Sequence, residues 1–493
     1  MPTDQTTAAS HDHERLVRSM ITLLASRCDG ALIERIQTHG ASLLLTPQRV
    51  YKIKKPVDLG FLDFSTLEKR RHVCEEELRI NRRYAPDLYR RVVPITGSHD
   101  QPRLDGDGPI IEYAVEMHRF PAEQRLDLVL ERGDLSTADI IALADQLSRL
   151  HADCPRTSTQ TARDLSSILK PLHDNLTDCE RLLADQPALT EVVDWSRRML
   201  HDLQPVLARR LDQGFVRECH GDLHLANLYR DADGMHPFDA IEFDAALRWI
   251  DVMNDLAFLL MDLEQRGASD LAAVLLSQYL EKTGDYDGLE PLALFRCYRA
   301  LVRAKIAMLS GDEADADRYL MLARRCTLSQ PPTLWQMGGL SGSGKSTRAL
   351  ELVREHRAIR IRSDVERKRL FGFSADARSG SAVGAGIYTA AAGEQTYQRL
   401  LTLAHRCLEL GYSVVIDAAS LRRSERTLFR NLAETHGWRW RLIWCTADSA
   451  TLRARIEQRL QTGSDASEAT TQVLDAQLRV VEPPDDAETE GRA

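Results

Sequence analysis

Residues 220–227 read HGDLHLAN. Asp222 and Asn227 stand five residues apart, after a histidine and just ahead of a stretch with strand character. That spacing suits phosphoryl transfer, which needs a carboxylate beside the attacking oxygen and a neutral oxygen ligand on Mg2+, both carried on one rigid loop. Asp222 is therefore the candidate catalytic acid–base residue and Asn227 a candidate metal ligand.

The following residues, 228–244, read LYRDADGMHPFDAIEFD. They predict a strand, a turn at Asp231 to Gly234 and a second strand, which returns Asp239, Glu242 and Asp244 toward Asn227. A second metal carboxylate is required there, and Glu242 and Asp244, placed on one face of a single strand, are both open as its source. With HGDLHLAN, the downstream IEFD resembles the aminoglycoside phosphotransferase family, kinase-like enzymes that phosphorylate small-molecule hydroxyls. The family usually has Asp where Glu242 stands. The resemblance implies a bilobal α+β protein-kinase-like domain, here over residues 1–327, and use of ATP with Mg2+.

Upstream, residues 41–57, ASLLLTPQRVYKIKKPV, predict two strands around a Pro47-Gln48 turn, with Val50, Lys52 and Lys54 on one face by the two-residue period. A kinase small lobe holds the α- and β-phosphates with a strand lysine, so Lys52 is the first choice and Lys54 the alternative. The charged stretch 65–85 predicts a helix offering Glu75, Glu76 and Glu77 as the lysine's partner, of which Glu77 is chosen. Residues 110–120, IIEYAVEMHRF, predict a buried strand. In the resembled family this strand leads to the hinge, where main-chain groups near Val115 and Met117 would meet an adenine. The resemblance also gives Asp255 the task of bracing the catalytic loop, within a helix expected from 247 onward. It puts the substrate pocket near Arg299 and Arg303, four apart on one helical face, as holders of an anionic group.

Residues 328–334, LSQPPTL, form a proline-containing break and the expected linker. Directly after it, Gly339 to Ser346 fits GxxxxGK[ST], the Walker A phosphate loop, between an apolar strand and a helical pattern. In this loop the main-chain N–H groups of Gly339, Ser341, Gly342, Ser343 and Gly344 wrap a phosphate at a helix N-terminus. Lys345 reaches the β- and γ-phosphates, Ser346 ligates Mg2+, and Thr347 is the next expected nucleotide-binding residue. Asp364, nineteen residues beyond Lys345, resembles the catalytic base of small P-loop kinases such as polynucleotide kinase, zeta toxins and gluconate kinase. A capping box of Ser363 and Glu366 would account for the same residues without catalysis.

Arg367 is placed to reach the same crevice. Asp417, ending an apolar strand, is the expected second Mg2+ carboxylate. Arg422 and Arg426 would extend a basic groove, and Arg455 and Arg459 resemble lid arginines that screen phosphates. The small-residue segment from 379 to 396 reads as mobile cover over a substrate cleft. No sensor or arginine-finger sequence of ring ATPases is seen, and the length suits a P-loop kinase. Residues 335–485 are thus expected to form a three-layer α/β P-loop domain with a mainly parallel sheet, followed by a disordered tail over 486–493. Residues 1–14 are likewise expected to be disordered.

With 73 acidic against 64 basic residues in 493, the net charge of -9 does not favour nonspecific binding to nucleic acid or an anionic membrane. Nine scattered cysteines without CxxC spacing speak against a disulfide framework or zinc site, and no apolar run is long enough to span a bilayer. The expectation is a cytoplasmic phosphotransferase with two nucleotide sites and small-molecule hydroxyl acceptors. The alternatives for the C-terminal half are a nucleic-acid end as acceptor, or a nucleotide-dependent switch that controls the N-terminal half.

Overall fold

The computed structural model describes residues 4–58, 62–157, 164–375, 377, 386–462, 467 and 469–489. The chain forms two compact units. One gathers Met1–Leu135, Asp153–Asp174 and Leu207–Leu259; the other gathers Ser136–Ala152, Asn175–Val206 and Leu260–Ala493.

The first unit is organised on a six-stranded antiparallel sheet of order β1-β2-β3-β6-β4-β5. Its strands are β1 (Glu34–Gln37), β2 (Ala41–Leu45), β3 (Arg49–Lys54), β4 (Tyr89–Gly97), β5 (Pro102–Leu104) and β6 (Ile110–His118). The expected strand pair around Pro47-Gln48 is β2 and β3, with Leu43 opposite Lys52. Side chains alternate between the two faces, and each face packs on its own helix. On one face Leu44, Ile53, Val93 and Ala114 meet Leu16, Val17, Met20 and Leu24 of the helix Asp4–Arg27. The other face carries Val50, Val115 and Met117 against Cys74 and Leu78 of the helix Leu67–Asn81. Lys52 and Lys54 share the parity of Val50, so they point to this second helix.

The helix Asp4–Arg27 corrects the expectation of disorder over residues 1–14 from Asp4 onward. Four apolar residues at helical spacing outweigh the polar start of the segment.

Two short strand pairings complete the frame of the first site. β7 (Val216–Glu218) precedes the HGDLHLAN loop, β8 (Leu228–Arg230) and β9 (Met235–Pro237) form the expected hairpin, and β10 (Trp249–Asp251) pairs with β7. The helix expected from residue 247 begins only at Val252, because Trp249 to Asp251 are taken up by that pairing. β9 stops at Pro237, so Glu242 and Asp244 lie beyond any strand and do not share a strand face.

In the second unit, β11 (Thr333–Gly338), β12 (Ile359–Arg362), β13 (Val414–Asp417) and β14 (Arg439–Trp444) form a parallel sheet of order β12-β13-β11-β14. Helices connect successive strands, as parallel pairing requires. The carboxyl ends of β11, β12 and β13 bring together the loops after Gly338, Arg362 and Asp417, the place where open α/β sheets bind ligands. Within this unit the expected linker over 328–334 ends sooner, because Thr333 and Leu334 already belong to β11 and the connection from the helix Glu313–Cys326 is made by residues 327–332. The tail is ordered through Thr489, contrary to expectation over 486–489, since Asp486–Thr489 is a helical turn whose Glu488 is buried on Arg426. Part of the expected mobile segment, 379–385, lies outside the described residues.

Candidate functional sites

In the first unit, Lys52 Nζ donates to Glu77 Oε1 at 2.8 Å and to Asp239 Oδ1 at 2.5 Å. Lys54 Nζ lies 2.5 Å from both Glu77 Oε2 and Glu242 Oε1. The two lysines that sequence reading held as alternatives thus share one buried glutamate. Burial alone would lower the Lys52 ammonium, but Asp239 and Glu77 outweigh it and hold it well above its ordinary range. Burial would raise the Glu77 carboxyl, yet Lys52 and Lys54 bring it well below the usual range. For Glu242 burial prevails and the carboxyl is raised, with Lys54 opposing.

Asp239 was not singled out from sequence as the metal carboxylate, and the geometry brings it forward. It directly follows the β8–β9 hairpin and has φ 60°, a left-handed conformation that Asp tolerates. Its segment is fastened on both sides: Asp239 N–H donates to the Tyr89 hydroxyl, Ala240 N–H to Asn81 Oδ1, and Ile241 N–H to the His220 carbonyl. Glu242 is held by Lys54, and Asp244 caps the following 3-10 turn by accepting from Ala246 N–H at 2.7 Å. Position along the chain was the usable signal, because the carboxylate nearest the hairpin end is the one that returns to the lysine.

The HGDLHLAN residues are fastened by hydrogen bonds. Asn227 Nδ2 donates to Asp222 Oδ2 at 2.9 Å and to the Asp222 carbonyl at 3.0 Å, which fixes the carboxylate's direction. Asp255 accepts from the N–H groups of His220 and Gly221, the bracing role the resemblance implied. Gly221 has φ 82°, and a Cβ there would come within 2.8 Å of the Leu247 carbonyl, so the loop requires glycine on both counts. Burial pushes the His220 imidazole down, and its Nε2 meets the Phe238 carbonyl at 2.9 Å. Val115 and Met117 are buried in β6, in register with Lys52 and Val50. Arg299 and Arg303 lie on a helix of the second unit, against the rings of Tyr298 and Tyr319.

In the second unit a cavity of about 550 Å³ is lined by the phosphate loop, Asp364, Arg367, Asp417, Arg455 and Arg459. The loop turns back tightly after β11. Gly339 has φ 131°, and a Cβ there would meet the Cys445 carbonyl at 2.2 Å. The helix Lys345–His356 begins at the lysine itself, with Ser346 and Thr347 in its first turn. Lys345 Nζ donates to the Leu340 carbonyl at 2.8 Å, and burial pushes its ammonium down, opposed by Asp417 and Asp364.

Two buried oxygens in this cavity's surroundings, Ser343 Oγ and Asp417 Oδ2, lack a hydrogen-bond partner. Such atoms are costly unless something else satisfies them. A loop of N–H donors, a lysine, a serine hydroxyl and an unsatisfied carboxylate oxygen fit a magnesium-bound polyphosphate.

Asp364 lies in the helix Ser363–Leu370, whose N-cap is Arg362 without a side-chain cap. The capping box of Ser363 and Glu366 is therefore not formed. Glu366 is instead fully buried and is held by Arg369, Arg399 and Tyr286. Arg367 donates from Nη1 to Asp364 Oδ1 at 3.1 Å and stacks over the Tyr388 ring. Arg455 donates to the Gly342 carbonyl and Arg459 to the Ala469 carbonyl.

Two of the expected groove arginines do not line the cavity. Arg422 is exposed at the start of the helix Arg423–His436. Arg426 is buried: it pairs with Glu488 at 2.7 Å and donates to the carbonyls of Ser420, Leu421 and Glu482. Its position one turn into the helix turns it to the interior, so it is not available to a ligand.

Residues 334–484 match the family model described as AAA domain. The match spans β11 to the end of the cavity-lining helices. An uncharacterized protein of Mycobacterium tuberculosis (strain H37Rv) is 29% identical over 451 residues, covering 89% of each chain. One from Mycobacterium bovis matches to the same extent, 29% over 451 residues. Among solved structures, the GDP complex of an aminoglycoside 2'-phosphotransferase-IIIa is 13% identical with a TM-score of 0.41, over 64% of this chain and 98% of that one. The Mycobacterium tuberculosis APS kinase in complex with AMPPNP and APS is 21% identical with a TM-score of 0.25, over 34% of this chain and 92% of that one. The chain carries an antiparallel-sheet unit with the HGDLHLAN loop ahead of a parallel sheet with the GxxxxGK[ST] loop, in the order its motifs predicted. Among the described residues no helix is long and apolar enough to cross a membrane, and no disulfide joins the nine cysteines.

Proposed function

We propose that the chain is an ATP- and Mg2+-dependent phosphotransferase with two nucleotide sites, each serving a hydroxyl acceptor on a small molecule. One recurring arrangement supports this reading. In both units a lysine near the phosphate position stands with carboxylates delivered from separate stretches: Lys52 with Asp239, and Lys345 with Asp417 and Asp364.

Bound at such sites, magnesium ATP supplies the transferable phosphoryl group and neutralises its charge. In the first site, Lys52 and Asn227 would hold the nucleotide and its metal, with Asp239 as the metal carboxylate. Asp222, its carboxylate directed by Asn227, orients an acceptor hydroxyl and takes its proton. In the second, the phosphate-loop N–H groups and Lys345 bind the anionic chain, Ser346 and Asp417 hold the cation, and Asp364 receives the acceptor proton. Arg459 screens charge that develops between donor and acceptor.

The small-molecule reading is favoured for the second site over a polynucleotide end, because the groove that would follow a backbone loses Arg426 to Glu488. The test is phosphate transfer from labelled ATP to a pooled metabolite and oligonucleotide library, comparing the wild type with Asp222→Ala and Lys345→Ala. Loss of a different labelled product with each substitution supports two kinase sites. Loss of the same product with both would replace this reading by one in which one site serves or switches the other.

A further inference from the structure

The helix Ser269–Thr283 precedes the expected linker, yet within the second unit it is fastened to the nucleotide-binding sheet. Arg360 and Arg362 of β12 are two apart and so share a face, and both reach Glu281 of this helix. Arg360 Nη2 lies 2.9 Å from Glu281 Oε2, and Arg362 Nη1 lies 3.3 Å from Oε1. Arg360 N–H donates to Ser277 Oγ at 2.9 Å, and Arg369 Nη2 to the Glu281 carbonyl at 2.6 Å.

Arg362 has a second carboxylate beside it. In the parallel register of β12 and β13 it stands opposite Asp417, with Nε 3.6 Å from Asp417 Oδ2. That separation is beyond a hydrogen bond, and Oδ2 is one of the buried oxygens left unsatisfied. A guanidinium so near a buried carboxylate would close on it to form a paired fork unless something else held it. Glu281, itself buried, is a competing acceptor on Arg362.

We propose that Glu281 is a positioning residue for the phosphate-loop site: by drawing Arg362 toward the helix Ser269–Thr283, it keeps the Asp417 carboxylate open to a divalent cation. The proposal rests on the reading of that cavity as a magnesium–nucleotide site. It also gives the helices before residue 328 a direct part in that site, so the P-loop domain is chemically incomplete without them.

The experiment is a Mg2+ titration of fluorescent N-methylanthraniloyl-ADP binding to the full chain, counting only the signal that Lys345→Ala removes. Glu281→Gln, which keeps shape and removes charge, is expected to raise the Mg2+ concentration at half-saturation by about ten-fold, the lower end of what supporting groups around a metal contribute. Glu281→Gln combined with Arg362→Gln is expected to return it to near the wild-type value, because the competing cation is gone. An unchanged half-saturation in Glu281→Gln, or no recovery in the double variant, overturns the proposal while leaving the nucleotide site standing. Should Glu281→Gln fail to fold, Arg362→Gln alone decides: half-saturation at or below the wild-type concentration supports the proposal, and a rise overturns it. Absence of any Lys345-dependent binding in the wild type overturns the nucleotide reading and this inference together.

Discussion

Lys52 and Glu77 form a buried ion pair at 2.8 Å, and Glu77 is shared with Lys54 on the same face of β3. The sharing makes the two sides of the pair unequal. Glu77→Gln leaves two buried ammonium groups short of one negative charge and is expected to destabilise the first unit by about 3–5 kcal/mol. Lys52→Met leaves Glu77 paired with Lys54, and Asp239 is partly exposed, so its cost should be clearly smaller. Urea unfolding of the two variants checks the order; equal losses would mean that Lys54 does not hold Glu77.

Asp222 offers the converse case, a residue for which we propose a chemical task and little structural one. Its side chain is 37% exposed, and Asn227 keeps its bond to the Asp222 carbonyl whatever the side chain. Asp222→Asn should lower turnover at the first site by about 10²–10⁴-fold. The thermal midpoint should move little, and the Lys345-dependent product should not change. Product-resolved assays on one preparation measure all three.

His13 predicts a pH dependence. It sits on the helix Asp4–Arg27, its Nε2 meets Ser42 Oγ at 3.0 Å, and burial brings the imidazole down to about 4, with Glu14 opposing. A base whose pKa is lower folded than unfolded binds fewer protons in the native state, so stability rises with pH between the two values. The contribution is complete above about 6.5, the ordinary value, and is lost as pH falls toward about 4. The full loss amounts to roughly 3 kcal/mol. Midpoints of urea unfolding from pH 7 to 4 should fall in the wild type and less steeply in His13→Gln; parallel slopes would show that His13 is not the group titrating.

The strand-lysine pattern was legible because alternation does two jobs at once. The same parity that buries Val50 sends Lys52 and Lys54 to the helix bearing Glu77, so a two-residue period locates both core and charge. HGDLHLAN and GxxxxGK[ST] were legible for a related reason: each packs its chemistry into one short segment whose backbone needs are written in its glycines and its Asp–Asn spacing. Asp239 was obscured because β9 ends sooner than its apolar composition suggested, so strand parity no longer governs the acids after Pro237. Glu281 carried no local signal at all. Its significance comes from Arg360 and Arg362, about eighty residues on in β12, and only packing brings them to its helix.

Arg426 and Glu488 show the same limit at the chain end and supply the last prediction. The polar, proline-bearing run after Glu482 reads as a solvated tail, and an arginine on a charged helix reads as a ligand contact. Folded together, they make a buried pair in which Arg426 Nε meets Glu488 Oε1 at 2.7 Å and Nη2 meets Oε2 at 3.0 Å, with Arg426 only 1% exposed. Glu488→Ala strands that guanidinium and should cost the second unit about 3–5 kcal/mol. Deleting residues 485–493 should cost at least as much, since Asp485 caps the same turn by accepting from Glu488 N–H. Arg426→Met paired with Glu488→Leu replaces charge by matched apolar volume and should recover most of the loss, because a well-packed apolar pair does without the desolvation that burying two charges requires. Thermal unfolding of the three variants decides the matter. A truncated chain as stable as the full one would mean that the turn at 486–489 is not docked on Arg426, and would return that arginine to the candidate groove.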